Sequence, residues 1–448
     1  MGHRHRESAP TAAAATRDLR RRPIGVAARV LAIALALLAA LGLIALAIKL
    51  AGGPEPRSKW GYVAAVLAFL LSTAQAAPVL AFATRLAKGF WAVPARRATE
   101  LYYLAGLVTT PLFLLLLFQL PDFHGRPSVW NDWPGSPQLY DAVAIVMLAG
   151  LGLAILYLSG RPDARQWHDW GGGRLEGWLA SGWRGTTRQW QVLTAGLILL
   201  GAFYLMTYAY VQIFVVSDLA MSLVPGWKSA IYPAYHGVSG LQAGVATTLL
   251  TLAAFRRWGG LERYLTLAQF WGAAKLLLAL SLLFFYFSWD EFVTYWYGRT
   301  PEEQTLLELL MFRSYIWLFV PQFLLNFVLP FGLLIWNPIR VSVRGPTAVA
   351  ALVLIGNFLD RVRIYVAAWS VAGPVGQGLR AEELPALQLP SLLDGLVVVG
   401  MLAAVGLLYL LAQRLLPPVS LWEYKQAQLL TVERPYLRTA MAVIAKPH

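Results

Sequence analysis

Charge-poor runs of apolar residues recur along almost the whole length of this 448-residue chain, and they constrain it more than any motif does. Each run holds about 20 or more residues, enough for a helix to cross ~30 Å of hydrocarbon at ~1.5 Å per residue. The bilayer interior offers backbone groups no water, so a single crossing segment has to satisfy its own amides and carbonyls, and the α-helix does so. The pattern predicts ten spans, near 27–50, 61–86, 101–120, 139–159, 190–214, 231–255, 264–287, 312–335, 348–369 and 392–416. The expected fold class is an all-α membrane protein. Pro321 and Pro330 inside the eighth span predict a kink there.

Composition agrees, with 58% hydrophobic and 13% charged residues and a mean hydropathy of +0.56. Lys and Arg set the expected orientation, because cytoplasmic loops retain them during insertion. Most of the 37 basic residues fall in the N-terminal tail, which holds Arg17, Arg20, Arg21 and Arg22, in the even-numbered loops and in the C-terminal tail. The loop from Ser288 to Met311 instead carries Asp290, Glu291, Glu302, Glu303 and Glu308 against Arg299. Both termini are therefore expected in the cytoplasm, and the net charge of +14 reflects topology rather than a nucleic-acid partner. The expected organisation is a disordered tail over 1–23, a ten-helix domain over 24–420 and a cytoplasmic tail over 421–448. The first span is too long for a simple signal-peptide core and is read as a retained anchor.

The chain has no cysteine, which excludes iron–sulfur ligation, covalent haem attachment and disulfides within it. Of six histidines, His3, His5 and His448 are near the ends, His124 and His168 are assigned to loops, and only His236 lies in a span, so a bis-histidine haem has no ligand pair. The glycine-rich GGGRLEG at 171–177 has no preceding strand and reads as linker rather than a phosphate loop.

Ionisable residues inside spans cost about 2.5–3.5 kcal/mol each on insertion scales and mark candidate sites. The topology gathers Asp141, Asp218, His236, Asp290, Glu291, Arg313, Asp394, Asp360, Arg361 and Arg363 into a belt near the outer ends of the helices. A carboxylate at a helix end serves equally as a cap or interfacial group, and Asp360, Arg361 and Arg363 read either as mutual ion pairs or as a charge network beside a site. Lys275, midway along the seventh span, calls for an acidic partner, water or neutrality, either for proton transfer or for a structural hydrogen bond. Gln75, Gln119, Gln212, Gln242, Gln269, Gln322, Asn326 and Asn357 add uncharged polar groups, most of them suited to joining helices.

The order of GWRGTTRQW, SDLAMSLVPGWKSAIYPAYHGVSG, GLERYLTLAQFWGAAKLLL, EFVTYWYGRTPEE, NFVLP and GNFLDRVRIYV resembles the NrfD family, the membrane subunits of polysulfide-reductase-type enzymes. Within it the sequence is most similar to the ten-span quinol-site subunit of alternative complex III, from about Trp60 to Glu423. The resemblance implies two four-helix bundles, about 60–215 and 230–370, flanked by one extra helix at each end. It also implies a haem-free subunit in a bacterial cytoplasmic membrane that binds menaquinol or a similar quinone near the outer face and passes electrons to an iron–sulfur partner. SPQLYDAVA carries over Asp141 as the group at the quinol pocket, SDLA carries over Asp218, EFVTYWYG carries over Glu291 and Tyr297, and Lys275 also matches. The chain departs from the family where Gln75 in TAQAAP, Gln119 in LLFQLP and Gln212 in YVQIF replace histidine. Glutamine binds a quinone carbonyl but accepts no proton, which leaves Asp141 or His236 for that role. Asp360 and Arg361 join Lys275 and Glu291 as the expected proton path. Two other functions stay open: a non-catalytic scaffold or proton-conducting subunit of such a complex, and a secondary transporter, suggested by Pro78, Pro111 and Pro233 within spans.

Overall fold

The computed structural model describes residues 25–120, 138–371, 384–436 and 439–444. Among them, nine helices are long and apolar enough to cross a bilayer: Val26–Ala51, Arg57–Leu86, Phe90–Leu117, Gln138–Asp169, Thr187–Leu223, Tyr232–Trp258, Leu267–Gly298, Ile316–Leu334 and Leu392–Ala412. Between the last two of these lies Arg344–Ser370, of similar length, which carries Asp360, Arg361 and Arg363 and is buried continuously from Asp360 to Trp369. Counted in chain order it is the ninth of ten long helices, and the architecture is the all-α membrane fold that the hydropathy predicts. After the tenth come a short helix, Leu421–Leu430, and an antiparallel hairpin of β1 (Thr431–Tyr436) and β2 (Thr439–Ile444).

Several helix ends depart from the expected spans: the fourth helix runs to Asp169 rather than 159, which puts His168 in a helix rather than a loop, and the fifth runs to Leu219 rather than 214. The third helix begins at Phe90 rather than near 101, and the seventh runs to Gly298 rather than 287. An apolar window marks the stretch that needs hydrocarbon, whereas a helix continues for as long as its backbone bonds are met. At 32 residues the seventh helix is about 48 Å long, well beyond the hydrocarbon thickness.

The second to fifth helices, called the first group below, and the sixth to ninth are joined along a broad seam: the second helix packs on the sixth and ninth as extensively as on the third and fifth, and the fifth also meets the sixth. The first and tenth pair with each other, and the tenth leans on the second and third. Lipid supplies no hydrophobic drive between helices, so close approach rests on small residues. A Cβ on Gly42 would lie 2.5 Å from the Gly400 Cα, which makes both glycines obligatory at the crossing of the first and tenth helices. On the sixth helix, Gly240 and Gly244 admit the Tyr208 hydroxyl and Ala76 at similarly close range.

Two helices are broken where the backbone demands it. In the second, Gln75 donates its amide to Leu70 at 3.1 Å, a wide turn followed by Pro78, which has no amide to donate. In the eighth, Leu324–Val328 forms a π-turn between Pro321 and Pro330, the place where proline predicted a kink. Pro330 has no amide for the Asn326 carbonyl, and that carbonyl instead accepts the Gln242 Nε2 at 2.7 Å.

Lys49, at the end of the first helix, pairs with Asp394, at the start of the tenth, at 2.5 Å, so these two run antiparallel. The face where the first helix starts and the tenth ends is called the terminal face below, and the opposite one the far face.

Candidate functional site

The far-face half of the ninth helix puts Asp360, Arg361 and Arg363 at successive angles, and three neighbours close over them. Asp360 accepts from Arg361 Nη1 at 3.2 Å, from Arg363 Nη2 at 2.7 Å and from the Tyr235 hydroxyl at 2.9 Å. Arg361 also donates to the Ser239 hydroxyl at 2.6 Å, the His236 carbonyl at 3.2 Å and the Ser72 hydroxyl at 3.1 Å, which ties the ninth helix to the sixth and second. His236 shares a hydrogen bond of 2.9 Å with Tyr365. All these charged groups are at most 1% exposed. One carboxylate faces two guanidiniums, so the cluster carries a surplus positive charge.

Beside the cluster a cavity of about 230 Å³ opens between the sixth, seventh and eighth helices and the segment that precedes the eighth. Its walls are aromatic, with Phe285, Trp289, Phe292, Phe319 and Phe323 among them, and its polar groups are few: Glu291, Arg363, Gln322, Ser288 and two tyrosines. Glu291 Oε2 accepts from the Ser229 hydroxyl at 2.6 Å, and the neighbouring Tyr295 adjoins the carboxyl. Arg363 lies 5.5 Å from the Phe319 ring, and its Nε is buried without an acceptor among the described residues. An apolar slot with one buried carboxylate and one unsatisfied guanidinium N–H suits a flat, weakly polar ring with oxygens at its edge. Glu291 reaches this wall because the seventh helix continues past 287, which corrects its placement in an outward loop.

The residues expected at the quinone pocket of the first group are differently placed. Gln75 is fully buried at the break in the second helix. Its side-chain oxygen accepts from the Tyr204 hydroxyl at 2.7 Å, and its Nε2 donates to the Thr109 hydroxyl at 3.2 Å. Gln212 is buried on the fifth helix, one turn after Tyr208. Gln119 sits half-buried in the turn after the third helix, which ends at Leu117. Asp141 is buried in the first turn of the fourth helix, and Asp218 is buried inside the last turn of the fifth. His124 lies outside the described residues.

Other members of the belt separate. Asp394 belongs to the Lys49 pair and to a capping box with Ser391, while Arg313 is largely exposed near Glu308 at 3.8 Å and Tyr297 is exposed. Lys275 is corrected more strongly. It is exposed on the outside of the bundle, with its Nζ 4.3 Å from the Trp271 ring and no ion pair among the described residues. It stands eight residues, about 12 Å, into a helix whose side chains slope toward its start, so its ammonium is directed to the terminal face.

A second buried network was not legible in the sequence. At the terminal face Arg85 pairs with Glu100 at 2.7 Å and Glu423 at 2.5 Å, while Arg97 pairs with Glu100 and Asp163, each at 3.2 Å. Arg96 stands 3.6 Å from Glu423. Asp163 also accepts from the Ser420 hydroxyl and from the Leu421 and Trp422 amides, which caps the short helix after the tenth span. Arg97 and Glu100, three residues apart, were the one local signal of it.

Comparison of the chain with protein-family models finds no match, and comparison with curated proteins finds none either.

Proposed function

We propose that this chain is the haem-free membrane subunit of a respiratory oxidoreductase complex, binding quinol near the outer face and passing its electrons to an iron–sulfur partner. The single observation that carries the reading is the aromatic cavity whose buried polar edge is Glu291 and Arg363. The resemblance to NrfD-type subunits supports it, and the distribution of Lys and Arg makes the terminal face cytoplasmic and the far face outward.

Quinol oxidation gives up two protons and two electrons, so a base has to lie within hydrogen-bond reach of the ring hydroxyl. The Glu291 carboxylate accepts that proton, and Ser229 and the neighbouring Tyr295 hold the carboxyl in place. Arg363 donates to the ring oxygen, and the surplus positive charge around Asp360 favours the oxygen as it becomes anionic. The phenylalanines and Trp289 hold the ring and exclude water. Asp141 and Asp218 are then carboxylates of the first group, and Asp141 is the competing base that the family resemblance implies.

The test is quinol oxidation by the purified complex with Glu291→Gln and, separately, Asp141→Asn. Glutamine keeps the bond to Ser229 but takes no proton, so the Glu291 variant is expected to assemble, retain quinone and oxidise it at least about 100-fold more slowly. Parent-rate oxidation by Glu291→Gln, with loss of rate in Asp141→Asn, would move the site to the first group.

A specific observation favours the second reading, a scaffold or proton-conducting subunit. Gln75, which stands where the family has histidine, has both amide atoms committed to Tyr204 and Thr109. Absence of co-purifying quinone from the parent complex would select that reading.

A further inference from the structure

A second cavity, of about 220 Å³, lies at the terminal face where the fourth helix ends and the fifth begins. Its wall divides cleanly: Leu158, Val192 and Leu193 are apolar and lie toward the membrane, while Arg161, Arg188 and Trp183 stand toward the loop. Arg161 is held rather than free. It donates to the Ser181 carbonyl at 2.5 Å and stacks 5.4 Å from the Tyr157 ring and 5.8 Å from the Trp183 ring. Its Nε is buried yet has no acceptor among the described residues. No carboxylate lines the cavity, and the two acids near Arg161 on the same helix are taken by other arginines, Asp163 by Arg97 at 3.2 Å and Asp169 by Arg165 at 3.1 Å.

The level of this cavity in the membrane follows from its neighbours. The short helix Arg174–Leu179 exposes Leu175 and Trp178, and Trp178 packs 6.3 Å from Tyr157 on the fourth helix. Exposed Trp beside Leu on a short helix is the pattern of a segment lying at the headgroup boundary. The Arg pair therefore sits at headgroup height and the apolar wall at acyl-chain height.

We propose that this cavity binds an anionic phospholipid, with its phosphate between Arg161 and Arg188 and an acyl chain along Leu158, Val192 and Leu193. The unsatisfied Arg161 Nε–H points to an acceptor that the chain does not supply, and a phosphate oxygen fits it. The apolar half of the wall distinguishes a lipid from a free anion, which has no use for it. Basic pockets between helices at a cytoplasmic membrane face recognise such headgroups.

The full-length chain in detergent, titrated with phosphatidylglycerol and followed by native mass spectrometry, tests this. Arg188→Gln changes an exposed side chain and leaves the fold intact, and it is expected to weaken phosphatidylglycerol retention about fivefold. Arg161→Gln is expected to weaken it further. Arg165→Gln, an exposed arginine one turn along the same helix, is expected to leave retention unchanged. Phosphatidylcholine is expected to bind more weakly than phosphatidylglycerol to the parent chain and equally to Arg188→Gln. Equal loss in Arg165→Gln would reduce the effect to general surface charge and overturn the site. Displacement of bound lipid by millimolar inorganic phosphate alone would assign the cavity to a free anion and overturn the lipid reading.

Discussion

The two buried ionic networks of this protein lie at opposite ends of its helices and are built to opposite rules. At the terminal face three guanidiniums, of Arg85, Arg96 and Arg97, meet three carboxylates, of Glu100, Asp163 and Glu423. At the far face Asp360 alone meets Arg361 and Arg363, and an aromatic cavity opens beside them. Burying charge is costly unless it is neutralised and hydrogen-bonded, so a balanced network is a joint that holds elements together. A network left with surplus charge beside an open cavity has kept part of its field for something else. The terminal network joins the second, third and fourth helices to the segment after the tenth, and the far one borders the proposed quinone site.

This difference predicts where the same kind of change does damage. The largest effect is expected from Glu100→Gln, which leaves Arg85 and Arg97 with less compensation and should cost about 3–5 kcal/mol of stability. Thermal unfolding in nanodiscs measures it, and a fully stable variant would show that the terminal network is not a joint. Next comes Glu291→Gln, expected to leave unfolding within about 1 kcal/mol of the parent while lowering turnover as described above. A variant that unfolds as readily as Glu100→Gln would erase the contrast between the two faces.

Arg363→Met sharpens the comparison further. Arg361 still pairs with Asp360 at 3.2 Å, so the change leaves a one-to-one pair and is expected to cost about 1 kcal/mol, far less than Glu100→Gln. Quinone affinity, followed by retention in the purified complex, should nevertheless fall. Lys275→Met is the smallest: it removes an exposed cation over Trp271, worth at most about 1 kcal/mol. A collapse of assembly or turnover in that variant would support the proton-path role for Lys275 over a surface contact with Trp271.

The ten spans were readable because water-free hydrocarbon leaves a backbone little choice, and hydropathy registers that choice directly. The buried cluster around Asp360 was also partly readable, since three ionisable residues deep in an apolar helix have no cheap explanation. Glu291 and Lys275 were both misplaced for one reason: helix ends and exposure follow the fold, whereas hydropathy sees only the hydrocarbon-spanning stretch. Arg96, Arg97 and Glu100 were taken for loop because a charged segment resembles solvent until its partners are known. Those partners, Asp163 and Glu423, lie far along the chain.

The amino-acid sequence by itself thus determined that the chain is a helical membrane protein, with the eighth helix broken between Pro321 and Pro330, because span length, charge and proline chemistry are local properties. Only the tertiary structure decided which charges balance, which are left over and where a cavity opens beside them. Pairing energy depends on distances of a few ångströms between residues that the chain separates by tens to hundreds of positions, and no local pattern carries those distances.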